Sequence, residues 1–164
     1  GVNMSKCSYN QIADYFISLS NESQDLITNL KLQKLMYYAQ AWHLAITEER
    51  LFDEKFEAWV HGPVVVKLYD DYKNFRWNPI KRQDLCEGSF QKIKNSINDD
   101  EVLDILEDVV DEYFGLSAYE LERLTHLEEP WLKARNGIPN DEPSNAEIYD
   151  KWMIDYYKKY LKDN

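Results

Sequence analysis

From Leu35 to Thr47 the chain runs for 13 residues without a formal charge, in a sequence of which 30% is Asp, Glu, Lys or Arg. Nothing else in the sequence restricts the fold as much. A stretch this apolar must leave water, either in a core or in a bilayer. It is too short for a membrane span, which needs roughly 20 apolar residues, and it carries Gln40 and His43. Leu32, Leu35, Met36, Ala39, Trp42, His43 and Ile46 recur at spacings of three and four, the period of a helix. Tyr38, Ala41 and Ala45 lie beside that stripe and are apolar or small. The reading is a central helix over residues 29–47, capped by Thr28 or Asn29 and buried on most sides. Trp42 is placed on its inward stripe, and His43 is read as a hydrogen-bonded core histidine.

A helix buried all round needs neighbours with one apolar face each, and the flanking sequence supplies them. Ser8 and Gln11 form a capping box ahead of Ile12, Phe16 and Leu19, followed by a polar break over residues 20–24. Phe56, Ala58 and Val60 alternate with Glu57, Trp59 and His61, a strand pattern that Gly62-Pro63 ends. Pro63 is read as the first residue of a helix, with Val65, Leu68, Tyr72 and Phe75 on one face and a break at Trp77-Asn78-Pro79. Gly88-Ser89 starts another helix, with Phe90, Ile93 and Ile97 inward. Residues 99–114 form a helix with Val102, Leu106, Val109 and Tyr113 inward, closed by Gly115. Ser117 and Glu120 make a second capping box. Pro130-Trp131 opens a short helix that Gly137 ends, residues 138–145 form a loop, and Ser144 or Asn145 caps a last helix with Ile148, Trp152, Tyr156 and Tyr160 inward. The expected fold is mainly α, about seven helices around the central one, with at most one small β element near residues 56–61. Residues 4–164 are expected to form one domain, with Gly1-Val2-Asn3 ahead of Met4 read as a vector-derived remnant.

The net charge of −11 is not spread evenly. Residues 99–129 hold 12 acids and one base, Arg123, while the rest of the chain holds 18 of each. Such a face repels nucleic acid and anionic membranes and attracts basic partners. Asp100, Asp104, Glu107, Asp108 and Asp111 compose it. Crowded like charges cost stability, so a partner that neutralises them is one reading and a solvated surface the other.

Chemistry is sparse. With five glycines the chain has no phosphate loop, no dinucleotide fingerprint and no Gly-x-Ser-x-Gly. Cys7 and Cys86 fit no metal or redox spacing; one disulfide between them is formally possible, and reduced thiols are the favoured reading. His43, His61 and His126 share no ligand spacing. Glu57, His61 and His126 could converge for acid–base work, which leaves a small hydrolase or metal enzyme as an alternative to a binding module. The aromatic residues lack an interleaved basic stripe, so base stacking is not expected.

Three stretches carry a resemblance. They are KLQKLMYYAQAWHLA (residues 31–45), LFDEKFEAWVHGPVVVKLYDDYK (residues 51–73) and LSAYELERLTHLEEPWLKAR (residues 116–135). In order and content they resemble the signature blocks of the Panacea, or SocA-like, antitoxin domain. Val66-Lys67 departs locally from the family pattern after Gly-Pro-Val-Val. The positions that match are Lys34, Tyr38, Gln40, Trp42 and His43, then Trp59, Gly62 and Pro63, then Thr125, His126, Pro130 and Trp131. The resemblance implies that these residues define the fold more than the interface. It implies a small helical antitoxin that neutralises a cognate toxin, encoded by an adjacent gene of phage or mobile-element type, by direct binding. Some members instead deliver the toxin to a protease, so a cellular protease or chaperone is a further expected partner. No catalytic residue, cofactor, metal, membrane or direct nucleic-acid contact is expected, and the location is expected to be cytoplasmic. Asp104, Asp108 and Asp111 on the acidic face, and Trp59 and Tyr69 in the aromatic region, are the candidate toxin contacts.

Overall fold

The computed structural model describes residues 5–161. The reading of Gly1-Val2-Asn3 as a remnant lies outside them. In chain order the elements are α1 (Tyr9–Ser23), α2 (Asn29–Thr47), β1 (Phe56–Trp59), β2 (Gly62–Val64), α3 (Val66–Tyr72), α4 (Ser89–Ile97), α5 (Asp100–Val109), α6 (Ala118–Leu127), α7 (Glu129–Arg135), β3 (Glu147–Ile148) and α8 (Asp150–Lys158). A 3-10 turn, Lys73–Phe75, extends α3, and one wide π turn, Val110–Phe114, extends α5. The fold is mainly α, with eight α-helices and a small three-stranded sheet among the described residues.

Helix α2 is the axis of the molecule. Helices α1, α3, α5, α6 and α8 and strand β2 all pack against it. From Leu32 to Ala41 every residue is buried, including Gln33, Lys34 and Gln40. Two of these polar side chains substitute for backbone partners. Gln40 donates to the Phe52 carbonyl and accepts from the Leu51 amide, both at 2.7 Å. Gln33 accepts from the Val65 amide at 3.0 Å and donates to Asn29 at 3.0 Å. Each bond contributes about 1 kcal/mol net, but stranding either partner in the core would cost about 1–3 kcal/mol. The glutamines therefore fix the path of the loop after α2 and of the chain leaving β2.

Local signals set most helix ends. Both capping boxes form, Ser8 with Gln11 and Ser117 with Glu120. Thr28, the residue ahead of Asn29, caps α2 through the Lys31 amide. Four helices end on non-glycine residues in the left-handed region, Gln24, Glu48, Asn98 and Asn136. Asn tolerates that conformation best, because its side chain bonds locally.

Three local expectations are corrected. The polar residues after Leu19 do not break α1, which continues to Ser23. Buried Ser18 and Ser20 donate to the Tyr15 and Ile17 carbonyls of the preceding turn, so the helix loses nothing by burying them. Gly115 closes its helix as expected, with φ −76°, in the right-handed region. Pro63 does not open a helix. It lies in β2, paired with Ala58 across a hairpin whose turn is Val60-His61. Strand order β2-β1-β3 makes β2 an edge, where a residue without an N–H is tolerated. Neither Ser144 nor Asn145 caps the last helix. Ile148 pairs with Phe56 in β3 instead, and α8 starts at Asp150.

In β1 the alternation holds: Phe56 and Ala58 are buried, while Glu57 and Trp59 are half-buried on the other face. No helix among the described residues is long and apolar enough to cross a membrane.

Candidate partner-binding site

The three sequence blocks meet at the β1–β2 hairpin. Trp131 of α7 donates to the Trp59 carbonyl at 2.9 Å. His126 of α6 donates through Nε2 to the Val60 carbonyl at 2.8 Å. That bond requires the proton on Nε2, and burial lowers the affinity of this ring for a second proton. His126 also stacks on Trp131, with centroids 4.0 Å apart, and the Arg135 guanidinium covers the same indole at 4.6 Å. His61 bonds Glu122 at 2.7 Å. Pro130 sits in the first turn of α7, where its missing N–H costs nothing.

Beneath the hairpin lie Lys34 and Thr125. A Cβ on Gly62 would come within 2.8 Å of Lys34 Cε and 3.1 Å of Thr125 Oγ1. The Thr125 hydroxyl is occupied by the Glu122 carbonyl at 2.8 Å. Lys34 is fully buried, and no protein group bonds its Nζ among the described residues. Burial pulls its pKa down from the usual 10.5 to about 8, with the Glu122 charge opposing. The charged form is thus the costly one. The unfolded chain binds the extra proton between pH 8 and 10.5, so stability rises with pH in that window. Lys34→Met is therefore expected to be more stable than the parent at pH 7. The gap should narrow by about 2 kcal/mol by about pH 9.5, before the tyrosines begin to titrate in the unfolded chain. Urea unfolding of both proteins at the two pH values measures it. A gap that does not move with pH would show that Nζ keeps its proton.

The acidic helix borders a groove of about 660 Å³ between α2, α5, α6 and α8. Its floor is aromatic. Trp42 donates to the Tyr113 hydroxyl at 2.8 Å and leans on Tyr157 with centroids 5.2 Å apart. Tyr113 stacks on Tyr38 at 3.9 Å, nearly parallel. Below the rings sits Glu128, about nine-tenths buried. Its Oε1 accepts from Tyr38 at 2.7 Å and from Tyr157 at 2.8 Å. Burial pushes its carboxyl pKa up, and the two hydroxyls hold part of that rise back. Asp108 and Glu112 stand on the rim, both exposed.

This groove corrects the orientation expected for α2. Trp42 is only half-buried, packed on the core but lining the groove, and Ile46 is 43% exposed at its edge. The stripe has two ends, and the packing of α5 and α8 leaves one of them open.

The candidate contacts do not form one patch. Asp108 lines the groove. Asp111 and Glu107 instead act on Tyr15 of α1, whose pKa is pushed up to about 12 by its burial and then by these two charges. Asp104 is exposed on α5. Trp59 and Tyr69 pack edge to face at 5.0 Å and line a second, shallower groove with Leu30, Glu57 and His61. The convergence of Glu57, His61 and His126 does not occur as an acid–base set: Glu57 accepts from Trp59 at 2.8 Å, and the two histidines are bonded as above. Among the described residues no group of three His, Cys, Asp or Glu side chains has metal-binding geometry. His43 is held in the core by the Glu49 carbonyl at 2.8 Å. Cys7 is buried, Cys86 is exposed, and both are free thiols; burial raises the Cys7 pKa to about 11, which makes it a poor nucleophile.

Two residues stand out that sequence reasoning missed. Glu128 lies in a run of acids and carries no local sign that it is buried under two tyrosines. Arg135 is 1% exposed and donates to the carbonyls of Ala58, 77 positions away, and of nearby Pro139. Its position after the Pro-Trp block is the one available hint.

No curated protein and no solved structure matches the chain. A family model described as "Antitoxin SocA-like, Panacea domain" matches residues 32–132, more than half of the sequence. That interval contains most of α2, the hairpin, the acidic helix and the tryptophan that grips the hairpin. The chain belongs to the SocA-like antitoxin family and carries its Panacea domain.

Proposed function

We propose that this protein is a non-catalytic antitoxin that neutralises a toxin, encoded beside it, by direct binding in the cytoplasm. Family membership over residues 32–132 supports the antitoxin role. The observation that favours a particular docking face is the concentration of the whole −11 charge in residues 99–129. Toxins that act on RNA or nucleotides need a cationic substrate groove, and an anionic helix laid across it would mask it. The polar groups at the hairpin are used for folding, which leaves the acidic helix and its groove free to meet a partner.

Co-expression with the adjacent gene, scored by growth and co-purification, tests the antitoxin role. Asp104→Lys, Asp108→Lys and Asp111→Lys together are expected to slow association by about ten-fold or more at low salt, to flatten its salt dependence and to restore toxicity. All three side chains are exposed, so stability should change by less than about 1 kcal/mol. The second reading places the toxin on the groove of Trp59 and Tyr69. Under it the triple reversal leaves the on-rate and its salt slope unchanged, and Tyr69→Ala weakens binding instead.

A further inference from the structure

We infer that the groove between α2, α5, α6 and α8 seats a cationic side chain, an arginine carried on an apolar segment of the toxin. This rests on the antitoxin reading and says which surface supplies the anchor. Among the rings that line the groove, Tyr113 and Tyr157 are buried while Trp42 and Tyr156 are half-buried and Tyr160 is exposed, so these last three have aromatic surface left for a ligand, and aromatic faces attract a cation through their quadrupoles. Glu128 adds a carboxylate that protein packing has already taken out of water and that two tyrosine hydroxyls hold in place. Asp108 and Glu112 add two more on the rim. The ion pairs among the described residues involve none of these three carboxylates. A neutral or anionic ligand would leave them uncompensated. A guanidinium is favoured over an ammonium because it is planar, stacks on rings and is more weakly hydrated.

Ile46, Ile105 and Leu124 flank the cage, so the segment that carries the cation must be apolar on either side of it. An amphipathic helix with one arginine among its apolar anchors has that pattern. A partner needs about 800 Å² of contact for a stable complex, more than the groove supplies. The groove is thus the central pocket of a larger interface, in which one desolvated anchor carries a large share of the affinity.

The test has two arms. In the first, N-acetyl-arginine amide is titrated against the full chain while the indole N–H resonance of Trp42 is followed by NMR, assigned through its loss in Trp42→Phe. The neutral isostere N-acetyl-citrulline amide is the control. The arginine probe should move the resonance and citrulline should not. The variant Asp108→Asn, Glu112→Gln, Glu128→Gln should bind the probe about ten-fold more weakly or worse, whereas Glu87→Gln with Asp141→Asn should not differ from the parent. The amide oxygen that Glu128→Gln introduces can still accept from both tyrosines, so the fold should survive. No shift, an equal shift with citrulline, or an equal shift in the groove variant overturns the inference. So does a shift that appears only after residues 162–164 are deleted, because the chain would then fill its own groove. In the second arm, the protein encoded by the adjacent gene is bound to both proteins. A loss of about ten-fold in the groove variant supports the inference. Equal binding overturns it and leaves the antitoxin reading standing. Failure of the unmodified chain to bind overturns the antitoxin reading, and with it the assignment of the arginine to a toxin.

Discussion

Gly62→Ala is expected to destabilise the protein by roughly 2–4 kcal/mol, against about 1–2 kcal/mol for Gly88→Ala. Both glycines have positive φ, +106° at Gly62 and +90° at Gly88. A side chain at either position pays for a backbone conformation that L-residues rarely adopt. Only at Gly62 does it also meet atoms. Its Cβ would approach Lys34 Cε to 2.8 Å and Thr125 Oγ1 to 3.1 Å, while at Gly88 nothing lies within 4 Å. Lys34 meets the Cβ with the far end of a flexible side chain, but that end is fully buried, so moving it disturbs packed neighbours, and Thr125 is fixed to the Glu122 carbonyl. The difference between the two variants therefore isolates crowding from strain. Urea unfolding measures it. Equal losses would mean that the hairpin shifts freely over α2 and α6, and that the contacts beneath it do not hold it.

Arg135→Met should cost roughly 2–3 kcal/mol, the upper range for a buried acceptor that loses a charged donor. The guanidinium donates to the Ala58 and Pro139 carbonyls, both at 2.8 Å, and to the Glu142 carbonyl. These acceptors belong to β1 and to the loop that leads into β3. Methionine is similar in length but leaves the buried Ala58 carbonyl without a donor, while the Pro139 and Glu142 carbonyls, on exposed residues, turn to water. Lysine would do little better, because one ammonium cannot span the three acceptors that the fork reaches. The loss should be concentrated where the loop meets the sheet. The Ala58 amide, bonded to the Ala146 carbonyl at 2.8 Å, should exchange with solvent faster in Arg135→Met than amides in the middle of α2. A loss below about 1 kcal/mol would show that water replaces the guanidinium at these carbonyls.

Much of the fold was legible in the residues because it is local. A capping box needs two side chains three positions apart, and Ser8–Gln11 and Ser117–Glu120 have them. An amphipathic period needs one helix, and the inward residues of α5 sit where the spacing puts them. An uncharged run of 13 residues has to be largely buried, and α2 is. The location of the charge is likewise a property of the sequence alone.

What tertiary structure decided is non-local. A strand is defined by its partner, so Gly62-Pro63 and Glu147-Ile148 could not declare themselves strands until β1 lay between them. A helix apolar on all sides gives no sign of which side its neighbours will leave open. Trp42 and Ile46 became the wall of a groove because α5 and α8 pack beside them and not over them. The acids of residues 99–129 look alike in one dimension. Packing separated them, burying Glu128 under Tyr38 and Tyr157, setting Asp108 on the groove rim and leaving Asp111 exposed outside the groove lining. Charge and period are carried by each residue, whereas burial and the aim of a carboxylate depend on distant segments, 90 positions apart in the pair of Tyr38 and Glu128.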